Sequence, residues 1–363
     1  MTTSSSHRAE TDGAETDGPG SRLWARPTAL APWHVALLAV LTLAAVALLA
    51  IAAGGGEVTL EQTARSLAAH LGLPVTPPAP LTDSIVWELR VPRVLLAAVA
   101  GAGLAVSGCV LQAVTRNPLA EPYLLGISSG ASTGAVLVLA TGLGAGTVSL
   151  AGGALVGGLV AFGLVLLLMG PRDPSANRIV LTGVVVGQLF TALTSLVLLG
   201  WGDADAARGL TYWLVGSLAA ARWDAVILCA VVAGLALVLF VALGPDLDGL
   251  AFGNESASSL GVDVGAVRLA VLLGAAATTA VLVASIGAIG FVGLIVPHAT
   301  RYLVGHRHRA LLPTSAVVGA LFLVLADTAG RIALAPRQVP AGVVTALLGV
   351  PVFLAILRRK ERT

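Results

Sequence analysis

The residues of this chain that could do covalent or metal chemistry are few, and their surroundings assign most of them elsewhere. Gly126-Ile127-Ser128-Ser129-Gly130 fits G-x-S-x-G, the pattern that presents a nucleophilic serine between a strand and a helix. Here it opens an apolar run after Pro122, with no partnered histidine and acid, so its small residues read as helix-packing positions. His298, His306 and His308 could be imagined around a metal. However, Pro297-His298 closes an apolar run, the other two sit in an arginine-rich loop, and no Cys, Asp or Glu lies close by in sequence. Cys109 and Cys229 both fall inside apolar runs, which disfavours a disulfide, a metal knuckle or a redox pair. No catalytic residue, metal site or cofactor is therefore expected. The only lysine is Lys360. A phosphate-binding loop needs Gly-Lys-Ser/Thr, so any work driven by ATP requires nucleotide bound on another polypeptide.

Charged residues at the ends of apolar runs are more informative. Arg90 and Arg93 bracket a proline before the charge-free run Val94–Ala113, and Arg331 follows Asp327 by four residues. That spacing puts Asp327 and Arg331 on one helical face, so pairing is the simple account of the carboxylate. A proton relay would need a second buried carboxylate, and none accompanies it. Gln188, Thr191 and Ser195 fall three and four apart within another apolar run, a polar stripe that should face protein or water. Gly153 and Gly157 form a small-x-x-x-small pair suited to close helix packing.

The elements that position these residues are membrane spans. The chain has 363 residues, of which 56% are hydrophobic and only 11% charged, against about 25% charged in an average soluble domain. Mean hydropathy is +0.92. The 43 glycines suit helices that approach closely, and a net charge of +2 gives no case for a nucleic-acid partner. Apolar runs of about the length a bilayer demands predict ten spans at 33–53, 94–113, 126–143, 148–169, 179–199, 224–243, 267–286, 287–303, 311–330 and 339–357. The fold class expected is all-α, a polytopic membrane protein, with residues 27–363 as one domain after a disordered polar tail at 1–26. The eighth span should be short or broken, because Ser285–Gly293 is rich in glycine and Pro297 follows. Such a break is tolerated only where neighbouring helices satisfy the freed backbone groups.

Ten spans place both termini on one side. With the N-terminus inside, 14 of the 21 basic residues fall on the inner side and 7 on the outer, which favours cytoplasmic termini. The longest outer connection, Gly54–Glu88, carries VTLEQTARSLAAHLG, whose spacing predicts a short amphipathic helix ended by a proline cluster. The longest inner connection, 244–265, holds Asp246, Asp248, Glu255 and Asp263. There Asn254 or Ser256 could cap a short helix, with Leu260 and Val262 as apolar anchors.

Taken together, R-V-P-R at 90–93, T-R-N-P-L-A-E-P-Y-L-L-G at 115–126, Y-W-L-V-G-S-L at 212–218, L-A-F-G-N-E-S-A-S-S-L-G-V at 250–262 and I-G-F-V-G-L-I-V-P-H-A-T-R at 289–301 resemble the FecCD family over roughly residues 35–358. That resemblance implies the type II permease fold of a binding-protein-dependent ABC importer for iron-siderophores, haem or cobalamin. It implies a cytoplasmic ABC ATPase dimer, an extracytoplasmic substrate-binding protein and a second permease subunit as partners, in the cytoplasmic membrane. Arg90, Arg93 and Arg331 would dock glutamates of the binding protein, against a plain alternative of snorkelling to the headgroups. Asn254, Glu255, Ser256, Ser259, Leu260, Gly261 and Val262 would belong to the pair of coupling helices seated on the ATPase. The span carrying Thr182, Gln188, Thr191 and Ser195, with Thr194, would line the path. The cargo expected is a ferric siderophore or related chelate, moved by alternating access. The rival class is an ion-coupled secondary transporter, which needs buried carboxylates or broken-helix ion sites.

Overall fold

The computed structural model describes residues 32–53, 58–142, 149–170, 176–202, 204–335 and 337–360; the tail expected at 1–26 lies outside them. Among the described residues all regular structure is helical. Ten helices coincide with the ten predicted spans: α1 (Pro32–Ala52), α4 (Val91–Thr115), α5 (Ile127–Thr141), α6 (Leu150–Met169), α7 (Ala176–Trp201), α9 (Trp223–Ala242), α12 (Val264–Ile286), α13 (Val292–Val304), α14 (His308–Ile332) and α15 (Ala341–Lys360). Between them lie α2 (Leu60–His70), α3 (Pro80–Ser84), α8 (Ala204–Leu214), α10 (Gly244–Leu250) and α11 (Asn254–Ser259). Among the described residues six helical runs are long and apolar enough to cross a membrane by length and composition. The longest, Pro80–Thr115, joins α3 to α4 through a π turn at Ile85–Arg90. That wide turn ends just before Pro92, which has no N–H to continue an ordinary ladder.

The amphipathic helix expected in the 54–88 connection is α2. Thr59 caps it, with Gln62 returning the bond to the Thr59 N–H, which satisfies two otherwise orphaned donors. Its C-terminal His70 stacks on Trp87 at 4.0 Å, and Trp223 donates to the Trp87 carbonyl at 3.1 Å. These contacts hold the connection against the starts of α4 and α9.

α4 is the axis of the bundle. It is buried over most of its length and packs on α9, α12, α13 and α14. The α5–α6 hairpin explains the Gly153/Gly157 pair. Gly130 and Gly134 of α5 lie against the Gly157 and Gly153 carbonyls, leaving no room for a β-carbon on either side. Chain direction then defines two ends. One, here the arginine end, collects the C-termini of α1 and α14 and the start of α4. The other, the hairpin end, collects the end of α4, the start of α14 and the α10–α11 connection.

Candidate functional site

The break expected around the eighth span is present between α12 and α13. Residues 287–291 are not helical. Gly287 and Phe291 both have left-handed φ values, +74° and +69°, and α13 is only 13 residues long. Pro297 inside α13 cannot donate to the carbonyl of Gly293. Gln112 of α4 does so instead: its Nε2 donates to Gly293 O at 3.1 Å and to Leu294 O at 3.3 Å. The Gln112 Oε1 accepts from Arg301 Nη1 at 2.7 Å. One amide thus ties α4 to both the proline gap and the last turn of α13.

The same break is gripped from the 116–126 connection, whose T-R-N-P-L-A-E-P motif folds inward. Glu121 Oε1 accepts from the Phe291 N–H at 2.7 Å, and Tyr123 Oη donates to Ile289 O at 2.6 Å. Phe291 is the N-cap of α13, so the carboxylate meets an orphan N–H at the positive end of a helix. Burial pushes the Glu121 carboxyl above the usual carboxylate range, and the Phe291 N–H offsets part of that rise. Glu121 lies outside every apolar run and is half-buried by the folding of its loop. Beside the break is an apolar cavity of about 650 Å³ lined by Leu214, Ala288, Phe291, Gly342, Ala346 and Val350 among others.

At the arginine end the three predicted arginines come together. Arg93 clasps Asp327 with Nε at 3.0 Å and Nη2 at 2.8 Å, and Arg331 Nε lies 3.2 Å from the same carboxylate. The i, i+4 pairing of Asp327 and Arg331 is thus present, with Arg93 added from α4. Arg331 also donates to Ala53 O at 2.8 Å and Ala50 O at 2.7 Å. Arg90 donates to Ile51 O and Ala52 O at 3.0 Å each. Arg90 and Arg331 are buried, and Arg93 keeps an edge toward exposed Gln338 at 2.7 Å. Two guanidinia therefore close the C-terminal turn of α1, whose carbonyls have no partners within the helix. Arg222 and Arg337 are exposed at this end.

At the hairpin end α10 and α11 form the two short helices expected in 244–265. Neither Asn254 nor Ser256 caps α11, contrary to expectation: the N-cap is Gly253 at φ +106°, with no side-chain cap bond. Asn254 Oδ1 turns instead to Arg268 Nη2 of α12 at 3.3 Å. Ala257 is buried, Val262 packs on the core, and Glu255, Ser256, Ser259 and Gly261 are exposed. Two large apolar side chains project outward, Phe252 at 78% exposure and Leu260 at 72%.

Along α7, Gln188, Thr191 and Ser195 are exposed together on a face that the rest of the chain leaves uncovered, with Thr182 half-buried. Thr191 and Ser195 bond back to their own helix. Thr194 belongs elsewhere, buried against Thr133 of α5 at 2.8 Å. The G-x-S-x-G segment is the first turn of α5, entered from the left-handed Gly126. Of the three histidines, His308 does have an acid beside it, Asp248 at 2.6 Å, which sequence proximity could not reveal. Among the described residues no three His, Cys, Asp or Glu side chains converge as metal ligands would.

An all-helical polytopic bundle, with a two-helix hairpin displayed at one end and a break between α12 and α13, is the permease architecture of an ABC importer. A solved ABC transporter described as metal-chelate type, in an inward-facing conformation, superposes with a TM-score of 0.77 at 30% identity, covering 90% of this chain and 99% of its own. The FecCD transport family profile matches residues 39–359, and the chain belongs to that family. It is 40% identical over 304 residues to the Fe(3+) dicitrate permease protein FecD of Escherichia coli, covering 81% of this chain and 94% of that one. It is 42% identical over 281 residues to the cobalamin permease protein BtuC of Halobacterium salinarum, covering 76% and 74%. The chain is a multi-pass membrane permease subunit and is not itself an enzyme; an ATPase and a binding protein complete such an importer.

Proposed function

We propose that this chain carries a ferric siderophore or a related metal chelate across the cytoplasmic membrane by alternating access, with ATP hydrolysed on a separate ATPase dimer. Relatives named for ferric dicitrate, ferric hydroxamate and cobalamin share one cargo chemistry, a metal ion wrapped in an organic chelator. The observation that carries the coupling half of this reading is the α10–α11 hairpin. It displays Phe252 and Leu260 to solvent at the tip of a polar connection, where an apolar side chain gains only by entering a partner's groove.

In this reading the hairpin end and both termini are cytoplasmic, as the excess of basic residues on that side supports. Glu255, Ser256, Ser259 and Gly261 rim the ATPase contact around Phe252 and Leu260, while Asn254 and Val262 hold the hairpin on the bundle. The binding protein docks at the arginine end. Arg90, Arg93 and Arg331 set the shape of that docking face by fixing α1, α4 and α14 to one another, and Arg93 lies nearest the surface. Gln188, Thr191 and Ser195 face the path, with Thr182 at its margin. Because that stripe is uncovered in a single chain, a second permease subunit completes the conduit.

The test is uptake into vesicles holding the permease, the ATPase and the binding protein, with a ferric siderophore as cargo. Uptake should require ATP and fail when the ATPase is omitted. Uptake that survives without the ATPase but collapses with an ion gradient would establish the secondary-transporter reading instead. Phe252→Asp and Leu260→Asp should each abolish ATPase co-purification while leaving the permease folded.

A further inference from the structure

Besides its apolar packing, the hairpin is tied to the bundle by polar contacts from each of its two helices. On α11, Asn254 bonds to Arg268 of α12. On α10, a single carboxylate oxygen, Asp248 Oδ1, accepts twice from His308: from its backbone N–H at 3.0 Å and from Nδ1 at 2.6 Å. His308 is the first residue of α14, and Arg307 at the N-cap supplies no side-chain acceptor. Asp248 therefore caps α14 from another element, taking up an orphan N–H and facing the positive end of the helix. The imidazole is buried, and its Nε2 has no partner among the described residues. A proton on Nε2 would be left unsatisfied, so the ring faces Asp248 as the Nδ1–H tautomer. Next to this pair, Gly244 of α10 packs on the Arg309 side chain of α14, so helix start meets helix start.

α14 is 25 residues long, about 37 Å at 1.5 Å per residue. Its far end holds Asp327 and Arg331, which engage Arg93 of α4 and the last carbonyls of α1. A shift of α10 is thus delivered to the first turn of a helix whose last turn organises the opposite face. Two bonds from one oxygen, to backbone and ring, restrain α14 in both translation and rotation.

We propose that the Asp248–His308 joint is the fastening through which movement of the hairpin is passed to α14. The two are positioning residues for energy coupling, distinct from the exposed side chains that touch the ATPase. The proposal rests on the reading of the hairpin as the ATPase seat.

The test uses the full complex in vesicles, measuring ATPase co-purification, ATP hydrolysis and ferric-siderophore uptake. Asp248→Ala and His308→Leu should keep co-purification and hydrolysis but lower uptake per ATP by about tenfold. The double variant should be no worse than either single. His308→Asn, whose amide can place a donor near the Nδ1 position, should recover most of the loss, as bulk or packing alone would not. Asp248→Leu removes the acceptor oxygen while keeping side-chain bulk, and serves the same purpose if the alanine variant fails to fold. The joint is refuted by uptake per ATP within about twofold of wild type, by loss of ATPase assembly in these variants, or by His308→Asn behaving like His308→Leu. The seat reading fails separately, if Phe252→Asp and Leu260→Asp leave ATPase assembly intact.

Discussion

Gln112→Leu should destabilise the bundle through a carbonyl that no helix can satisfy. Gln112 is 3% exposed, and leucine nearly conserves its volume, so packing changes little. The Gly293 carbonyl loses the donor that stands in for the missing Pro297 N–H, and a buried unsatisfied group costs about 1–3 kcal/mol. Arg301 loses its 2.7 Å acceptor, a bond to a charged group worth about 1.5–3 kcal/mol where buried. Arg301 is half-exposed, so its share belongs near the lower limit, and the sum is about 3–4 kcal/mol. Thermal unfolding of the purified permease in detergent measures it. The decisive arm is a double-mutant cycle with Pro297→Ala, which restores an N–H to position 297. In that background Gly293 regains a helical donor, and the cost of Gln112→Leu should shrink by about 1–2 kcal/mol. Additivity of the two substitutions within about 0.5 kcal/mol would refute the assignment of Gln112 to the proline gap.

Three further outcomes are expected. Asp327→Ala leaves Arg93 and Arg331 facing each other without their shared carboxylate, and should cost about 3–5 kcal/mol in the same unfolding assay, with Asp327→Asn milder. Gly134→Val forces a branched side chain into the Gly153 carbonyl and should reduce the yield of folded protein, with a thermal penalty of at least about 1–3 kcal/mol. Glu121→Ala removes the acceptor of the Phe291 N–H and should speed hydrogen exchange at Phe291, whereas Glu121→Gln keeps an acceptor oxygen and should leave exchange near wild type.

The ten apolar helices were legible because the hydropathy of their runs marks a span, and the shortness of α13 was announced by the glycines of 285–293. Charged residue types at span ends were legible too, but not the direction they point. Arg90 and Arg331 turn in to the carbonyls of α1, whose last turn is invisible from their own segments. The contacts that organise the site link residues far apart in sequence, Gln112 with Arg301, Glu121 with Phe291 and Asp248 with His308. No local periodicity encodes them. Cap chemistry misled at Asn254, because an amide that can cap its own helix can also serve an arginine on the next one.

The closure of α1 by Arg331 has a consequence for how the protein is made. The Ala53 carbonyl and its guanidinium partner are 278 residues apart. At a synthesis rate of about 5–20 residues per second, the end of the first helix is synthesised roughly 15–55 s before that arginine exists. Until then its terminal carbonyls can be served only by Arg90, water or the insertion machinery. Final seating of the first span is therefore a late event in biogenesis, and chains cut off before α14 should hold α1 loosely enough to mark them for quality control.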